Sequence, residues 1–173
     1  MREQILKHAR ANVQIADKET GEPLYRGHNL FVDSGRALIA SIFFGGVLFD
    51  RAKLVCDLGE DTTNPVRTQL DLLNYISPRS LEAAVGYPIA LSGAATGVHF
   101  QFILANTVVA GFGVGDILIS ELGLFYRDTS DDFPRRGSVP ATMTGSMLAR
   151  LKSPGIITIS NTRTITIDWK IIF

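Results

Sequence analysis

The sequence predicts a mainly β fold: an antiparallel β-sandwich, jelly-roll-like or immunoglobulin-like, with one or two short inserted helices. Three observations carry that expectation. Ile165, Ile167, Trp169, Ile171 and Phe173 alternate with Thr164, Thr166, Asp168, Lys170 and Ile172. That period of two puts one set on one face of a strand, whereas it would scatter the same residues around a helix. Further apolar segments recur along the chain between turns that contain Gly, Pro or Asp, as in sandwiches and barrels. The clearest helical spacing lies in one short segment near residue 40. A closed barrel is the alternative arrangement of the same strands.

Residues 1–12 are polar and basic and are read as an N-terminal arm; residues 13–173 are read as a single domain. Val13 and Ile15 alternate with Gln14 and Ala16, a short strand. Asp17-Lys18-Glu19-Thr20-Gly21-Glu22-Pro23 is a turn, and a second strand over 24–32 completes a hairpin. Asp33 or Ser34 then caps a helix in which Leu38, Ile39, Ile42 and Phe43 recur at helical spacing. Gly45-Gly46 stops it, and its apolar surface is wide enough to be sandwiched between other elements.

Residues 50–58 alternate as a strand. Residues 59–66 have the composition of a loop, and residues 69–76 have a helix-like apolar face limited by Pro78. Val98, Phe100, Phe102 and Leu104 alternate with His99, Gln101 and Ile103, residues 117–126 are strand-like, and residues 145–151 form a shorter strand. The core is expected to hold Phe100, Phe102, Trp169 and Phe173.

Composition bounds the function. A chain of 173 residues, 46% apolar and 20% charged, buries a core without metals or disulfides. Lys plus Arg number 17 and Asp plus Glu number 17, a formal net charge of zero. General nucleic-acid and anionic-membrane binders rely on a positive surplus, so neither is an expected partner. Balanced charge gives little protection against self-association and suits a protein that ends in an assembly. The start, Met1 to His8, is mixed-charge and lacks the apolar stretch of a secretion signal. The most apolar stretch, residues 37–49, is too short to span a bilayer. Synthesis in a cytoplasm is expected.

Candidate chemistry is sparse. The run Ala110-Gly111-Phe112-Gly113-Val114-Gly115-Asp116 has the glycines of a phosphate cradle, but a strand-like segment follows where a helix N-terminus is needed. It is read as a turn between strands. Asp128, Asp131 and Asp132 lack the glycine and distal glutamate of a calcium loop and are read as a solvated hairpin tip, neutralised by Arg135 and Arg136. His8, His28 and His99 have no metal-ligand spacing. His99 lies on the face opposite the aromatics and is expected to be a surface or interface residue. The single cysteine, Cys56, cannot form an internal disulfide and has no basic neighbour in sequence to lower its pKa, so it is read as a buried, inert thiol. Glu121 is the odd carboxylate, set in an apolar strand. A lone buried charge is costly, so an arginine partner is expected. No catalytic residue, metal or cofactor is predicted.

Several segments, in order, resemble small bacteriophage virion proteins. His28-Asn29-Leu30-Phe31-Val32-Asp33-Ser34-Gly35-Arg36-Ala37-Leu38-Ile39 resembles their start. Ile119-Ser120-Glu121-Leu122-Gly123-Leu124-Phe125 is similar to their "isoleucine, x, glutamate, x, glycine, leucine, phenylalanine" strand. Met147-Leu148-Ala149-Arg150 and the strand from Ile165 to Phe173 resemble their last two strands. Asp57 to Pro65 resembles the family's loop but departs from its small-residue pattern. The resemblance covers about two thirds of the chain; each segment is mostly strand grammar, and the ordered set is the specific part.

The resemblance implies a β-sandwich used in tails, baseplates, fibre attachments or capsid surfaces, without cofactor or catalytic residue. Glu121 and Arg150 match recurrent positions, and each suits the other as a buried partner holding adjacent strands in register. The expectation is a non-enzymatic bacteriophage virion structural protein. It would be made in the host bacterial cytoplasm and placed in the tail, neck, baseplate or fibre-attachment region. Its partners would be other virion proteins and its own copies, as a trimer or ring. The N-terminal arm and the 128–140 tip, with Phe133, Arg135 and Arg136, would make the contacts. A capsid-surface decoration (cement) protein is the alternative. A receptor- or glycan-binding module is less favoured, because the aromatics sit on strands and not on loops.

Overall fold

β1 (Arg10–Asp17) and β2 (Pro23–Phe31) form the antiparallel hairpin that opens the computed structural model, which describes residues 10–43, 54–68, 72, 73, 76, 81–91, 94–110, 116–127 and 145–172. The Asp17 carboxylate organises the turn: its Oδ1 accepts the N–H groups of Glu19 and Thr20, each at 2.9 Å. Gly21 supplies the left-handed residue, with φ of 71°. β1 starts at Arg10, so the strand takes in the last residues of the expected 1–12 arm; residues 1–9 lie outside the described residues.

Helix α1 (Asp33–Phe43) follows, then β3 (Leu54–Gly59), β4 (Leu81–Leu91), β5 (Ala94–Leu104), the short helix α2 (Asn106–Ala110), β6 (Asp116–Arg127), β7 (Gly145–Ser160) and β8 (Ile165–Ile172). Ser34 does not cap α1; its hydroxyl donates to the Met147 carbonyl at 2.8 Å. Gly35 lies so close to the Leu148 backbone that a Cβ would collide with it, so α1 is pressed onto β7. The Gly45-Gly46 stop and the glycine-rich run 111–115 lie outside the described residues, as does most of 69–80. No helix among the described residues is long and apolar enough to cross a membrane.

All eight strands pair antiparallel in the order β1-β2-β7-β6-β3-β4-β5-β8, and β8 returns to β1. The fold is mainly β with two short helices. The pairing runs from strand to strand nearly all the way round a barrel. Closure is thin at two seams. β2 meets β7 at Leu30↔Arg150 and Phe31↔Ala149, and β3 meets β4 at Val55↔Glu82 and Cys56↔Leu81. Between the seams lie a five-stranded side (β2, β1, β8, β5, β4) and a three-stranded side (β7, β6, β3).

The interior is one apolar cluster. Val13 and Ile15 of β1, Phe100 and Phe102 of β5, Ile165, Ile167 and Trp169 of β8, and Leu54, Cys56 and Leu58 of β3 all point into it. The three-stranded side is covered on its outer face as well, where Val32, Val55, Leu72, Phe125 and Met147 form a second buried group.

An irregularity in β6 decides which residues face which group. Ile117 and Ile119 point inward, and strict alternation would send Glu121 after them. Between Ile119 and Glu121 the register shifts: β6 advances from Ile119 to Glu121 while its partner β7 runs from Ile157 back to Lys152. Beyond this shift Leu122, Leu124 and Tyr126 belong to the interior cluster, and Glu121, Gly123 and Phe125 face outward. The extra residues of this irregular stretch lie in β7, while β6 itself slips by one residue between Ile119 and Leu122; because the side-chain period is two, that slip reverses the facing of β6.

Candidate functional site

The outer face of the three-stranded side holds a cluster of charges. Register sets Gly59 opposite Glu121 and Glu121 opposite Lys152, and, one row along, Asp57 opposite Gly123 and Gly123 opposite Arg150. Asp57, Glu121 and Arg150 are wholly buried. Arg150 Nε donates to Glu121 Oε2 at 2.7 Å, Nη2 donates to the same oxygen, and Nη2 also reaches Asp61 Oδ1 at 3.2 Å. Glu121 Oε1 accepts the Leu73 N–H at 3.2 Å. The pair therefore joins β6 to β7 and ties the segment after β3 down over both.

Further bonds hold that segment. Lys152 Nζ donates to Asn64 Oδ1 at 3.0 Å, Ile76 N–H to the Leu58 carbonyl at 3.1 Å, and Asp33 N–H to the Arg67 carbonyl at 2.8 Å. Partial burial pushes the Asp61 carboxyl up, but the Thr63 N–H and hydroxyl and the Arg150 guanidinium outweigh it and hold the group below the ordinary 3.8. Two glycines make the room: a Cβ at Gly59 would meet the Glu121 side chain, and one at Gly123 would meet Phe125 and Leu72. Asp57, Glu121 and Arg150 are enclosed by the protein itself, so the cluster acts as a clamp between β6, β7 and the segment after β3.

A second polar region lies on the outer face of the five-stranded side. One cross-strand row is His28, Asn12, Lys170 and His99; the next is Arg26, Gln14, Asp168 and Gln101. His28 Nδ1 donates to Asn12 Oδ1 at 2.6 Å. Asp168 Oδ1 accepts from His99 Nε2 at 2.6 Å and Gln101 Nε2 at 3.0 Å. His99 faces outward, as its place on β5 predicts, yet it is only 7% exposed. The expectation of a surface residue is corrected: a histidine beside a carboxylate packs down onto it.

The structure brings Glu121 and Arg150 together. Trp169, Phe102 and Phe100 are buried in the interior. Phe173, Phe133, Arg135 and Arg136 lie outside the described residues. Cys56 is buried beside Trp169, and burial pushes its thiol far up, away from the reactive thiolate. Sequence reasoning missed Asp57 and Asp61 in the clamp and Asp168 beside His99. Asp57 carried a signal, since it interrupts an apolar strand just as Glu121 does; Asp61 carried none, because a loop acid looks solvated.

Among the described residues no group of three or more His, Cys, Asp or Glu is placed to hold a metal ion. Comparison of the chain with protein-family models, with curated proteins and with solved structures finds no match.

Proposed function

We propose that the protein is a non-enzymatic structural component of a bacteriophage particle, acting in the tail, neck, baseplate or fibre-attachment region through protein–protein contacts. One observation supports this reading above others: three of the five segments that resemble virion proteins form one physical unit. The end of β2 pairs with β7 at Leu30 and Phe31, α1 rests on β7 through Gly35 and Ser34, and β7 is locked to β6 by Arg150 and Glu121. Residues that recur together are thus those that set strand register in one corner of the barrel, as expected of a shared scaffold and not of a shared reaction. Buried charge of this kind is best attested as a device for register.

The test is quantitative mass spectrometry of gradient-purified particles from cells that make the protein, with antibody-gold localisation. The expected result is a fixed copy number, compatible with a trimer or ring, and label on the tail or its junction. A copy number matching the major capsid protein, with label on the capsid, would favour decoration instead. Absence from particles sinks the reading.

A further inference from the structure

The polar face of the five-stranded side carries a groove that the assembly reading leaves without a role. It crosses β2, β1 and β8 and is lined by His28, Asn12, Lys170, Arg26, Gln14 and Asp168. Two of its acceptor oxygens are engaged within the protein. Asn12 Oδ1 takes the His28 N–H, and Asp168 Oδ1 is turned to His99 and Gln101 on β5. The positions open to solvent are Arg26, His28 and Lys170, while Asp168 is half-buried. Arginine and lysine side chains have no acceptor. The groove therefore presents two exposed cations against the single half-buried carboxylate of Asp168, a local positive excess on a chain whose formal net charge is zero.

We infer that this groove binds an acidic segment of a partner protein, with Asp or Glu carboxylates seated at Arg26 and Lys170. Arg26 and Lys170 stand on strands either side of β1 and in neighbouring cross-strand rows, about 12 Å apart at the backbone. Alternate side chains of an extended peptide are spaced by about 7 Å, a span that flexible Arg and Lys stems close. The guanidinium fork matches a carboxylate in a bidentate pair. No Phe, Tyr or Trp side chain lines the groove to stack a sugar ring, and its fixed cations are spread across strands and not gathered on one phosphate-sized point. The inference names a partner chemistry for the assembly reading and rests on it only for the source of the peptide.

The test is fluorescence anisotropy with a labelled peptide carrying Glu at alternate positions, against the whole protein at low salt. Saturable binding is expected, weakening as salt is added. R26E/K170E should lose about tenfold or more in affinity, R26K/K170R should retain it, and the Gln version of the peptide should not bind. Both sites are exposed, so an unchanged thermal melt will show that the fold survives. No binding, equal binding of the Gln peptide, or indifference to R26E/K170E overturns the inference. So does stronger competition by inorganic phosphate or a sulfated sugar. Self-association that R26E/K170E abolishes would assign the groove to a second copy and also overturn it. Presence in particles without peptide binding sinks this inference alone; peptide binding without presence in particles sinks the assembly reading alone.

Discussion

Gly59 sits directly opposite Glu121 across β3 and β6, and any side chain on Gly59 would occupy the space of the Glu121 side chain. The glycine is needed for this approach, not for an unusual backbone angle. Its absent Cβ lets a wholly buried carboxylate lie flat on the sheet and reach Arg150.

Gly59→Ala should therefore act through Glu121. Overpacking costs about 1–3 kcal/mol, and the variant should lie within or above that range in urea denaturation. In a Glu121→Ala background the same change should cost far less, since the colliding atoms are gone. Equal costs in both backgrounds would show that the glycine serves something else.

Removing either member of the ion pair should be severe. Glu121→Ala and Arg150→Ala are each expected to cost about 3–5 kcal/mol, because each leaves a buried partner uncompensated. Replacing both with Leu and Met should recover much of the loss, since apolar residues of similar size often replace a buried pair at little cost. A double-mutant cycle by chemical denaturation reads the coupling; additive losses would contradict the geometry.

Trp169→Ala should cost about 3–5 kcal/mol by opening a cavity in the interior cluster. Trp169→Phe should cost less than half of that. The indole N–H has no ordinary hydrogen-bond partner among the described residues, although it influences the nearby Cys56 thiol. Its loss removes an unsatisfied donor along with the packing area. Thermal melts of the two variants distinguish the contributions.

Acid should loosen two surface-linked anchors. The Thr20 N–H holds the Asp17 carboxyl below 3.8, and the Thr63 and Arg150 contacts do the same for Asp61. A carboxyl whose folded pKa lies below its unfolded value stabilises fully above the unfolded value and loses that contribution as pH falls through the folded one. Stability should thus be level above about pH 5 and fall below 3.8. Asp61→Asn should flatten part of that fall and cost about 1 kcal/mol or less at neutral pH, being partly exposed. An unchanged acid limb in Asp17→Asn/Asp61→Asn would assign it to other groups.

Much of the strand content was legible because period-two alternation needs no partner to be seen. β8 shows it throughout, as do β1 and the second half of β5. β4 escaped notice: Ala83, Ala84, Gly86 and Pro88 dilute its alternation, and its pairing with β5 supplies what propensity does not. The strand expected over 145–151 runs on to Ser160, through Pro154-Gly155 and past a register shift that only its pairing with β6 sets. α2 is too short for helical spacing to register.

By itself the sequence determined the β class, the hairpin, the main helix, the apolar faces and the suspicion that Glu121 needs a cation. These are local properties, written in the period of side chains along one strand or helix. Tertiary structure alone decided that the strands close into a ring, that a slip in β6 beside Ser120 turns Glu121 outward, and that Asp57, Asp61 and Gly59 join its surroundings. It also set Asp168 beside His99 and arranged the exterior donors into a groove. Each of these depends on which strand pairs with which and in what register. Pairing between distant segments is fixed by the summed burial of whole faces, a quantity that no single stretch of the chain contains.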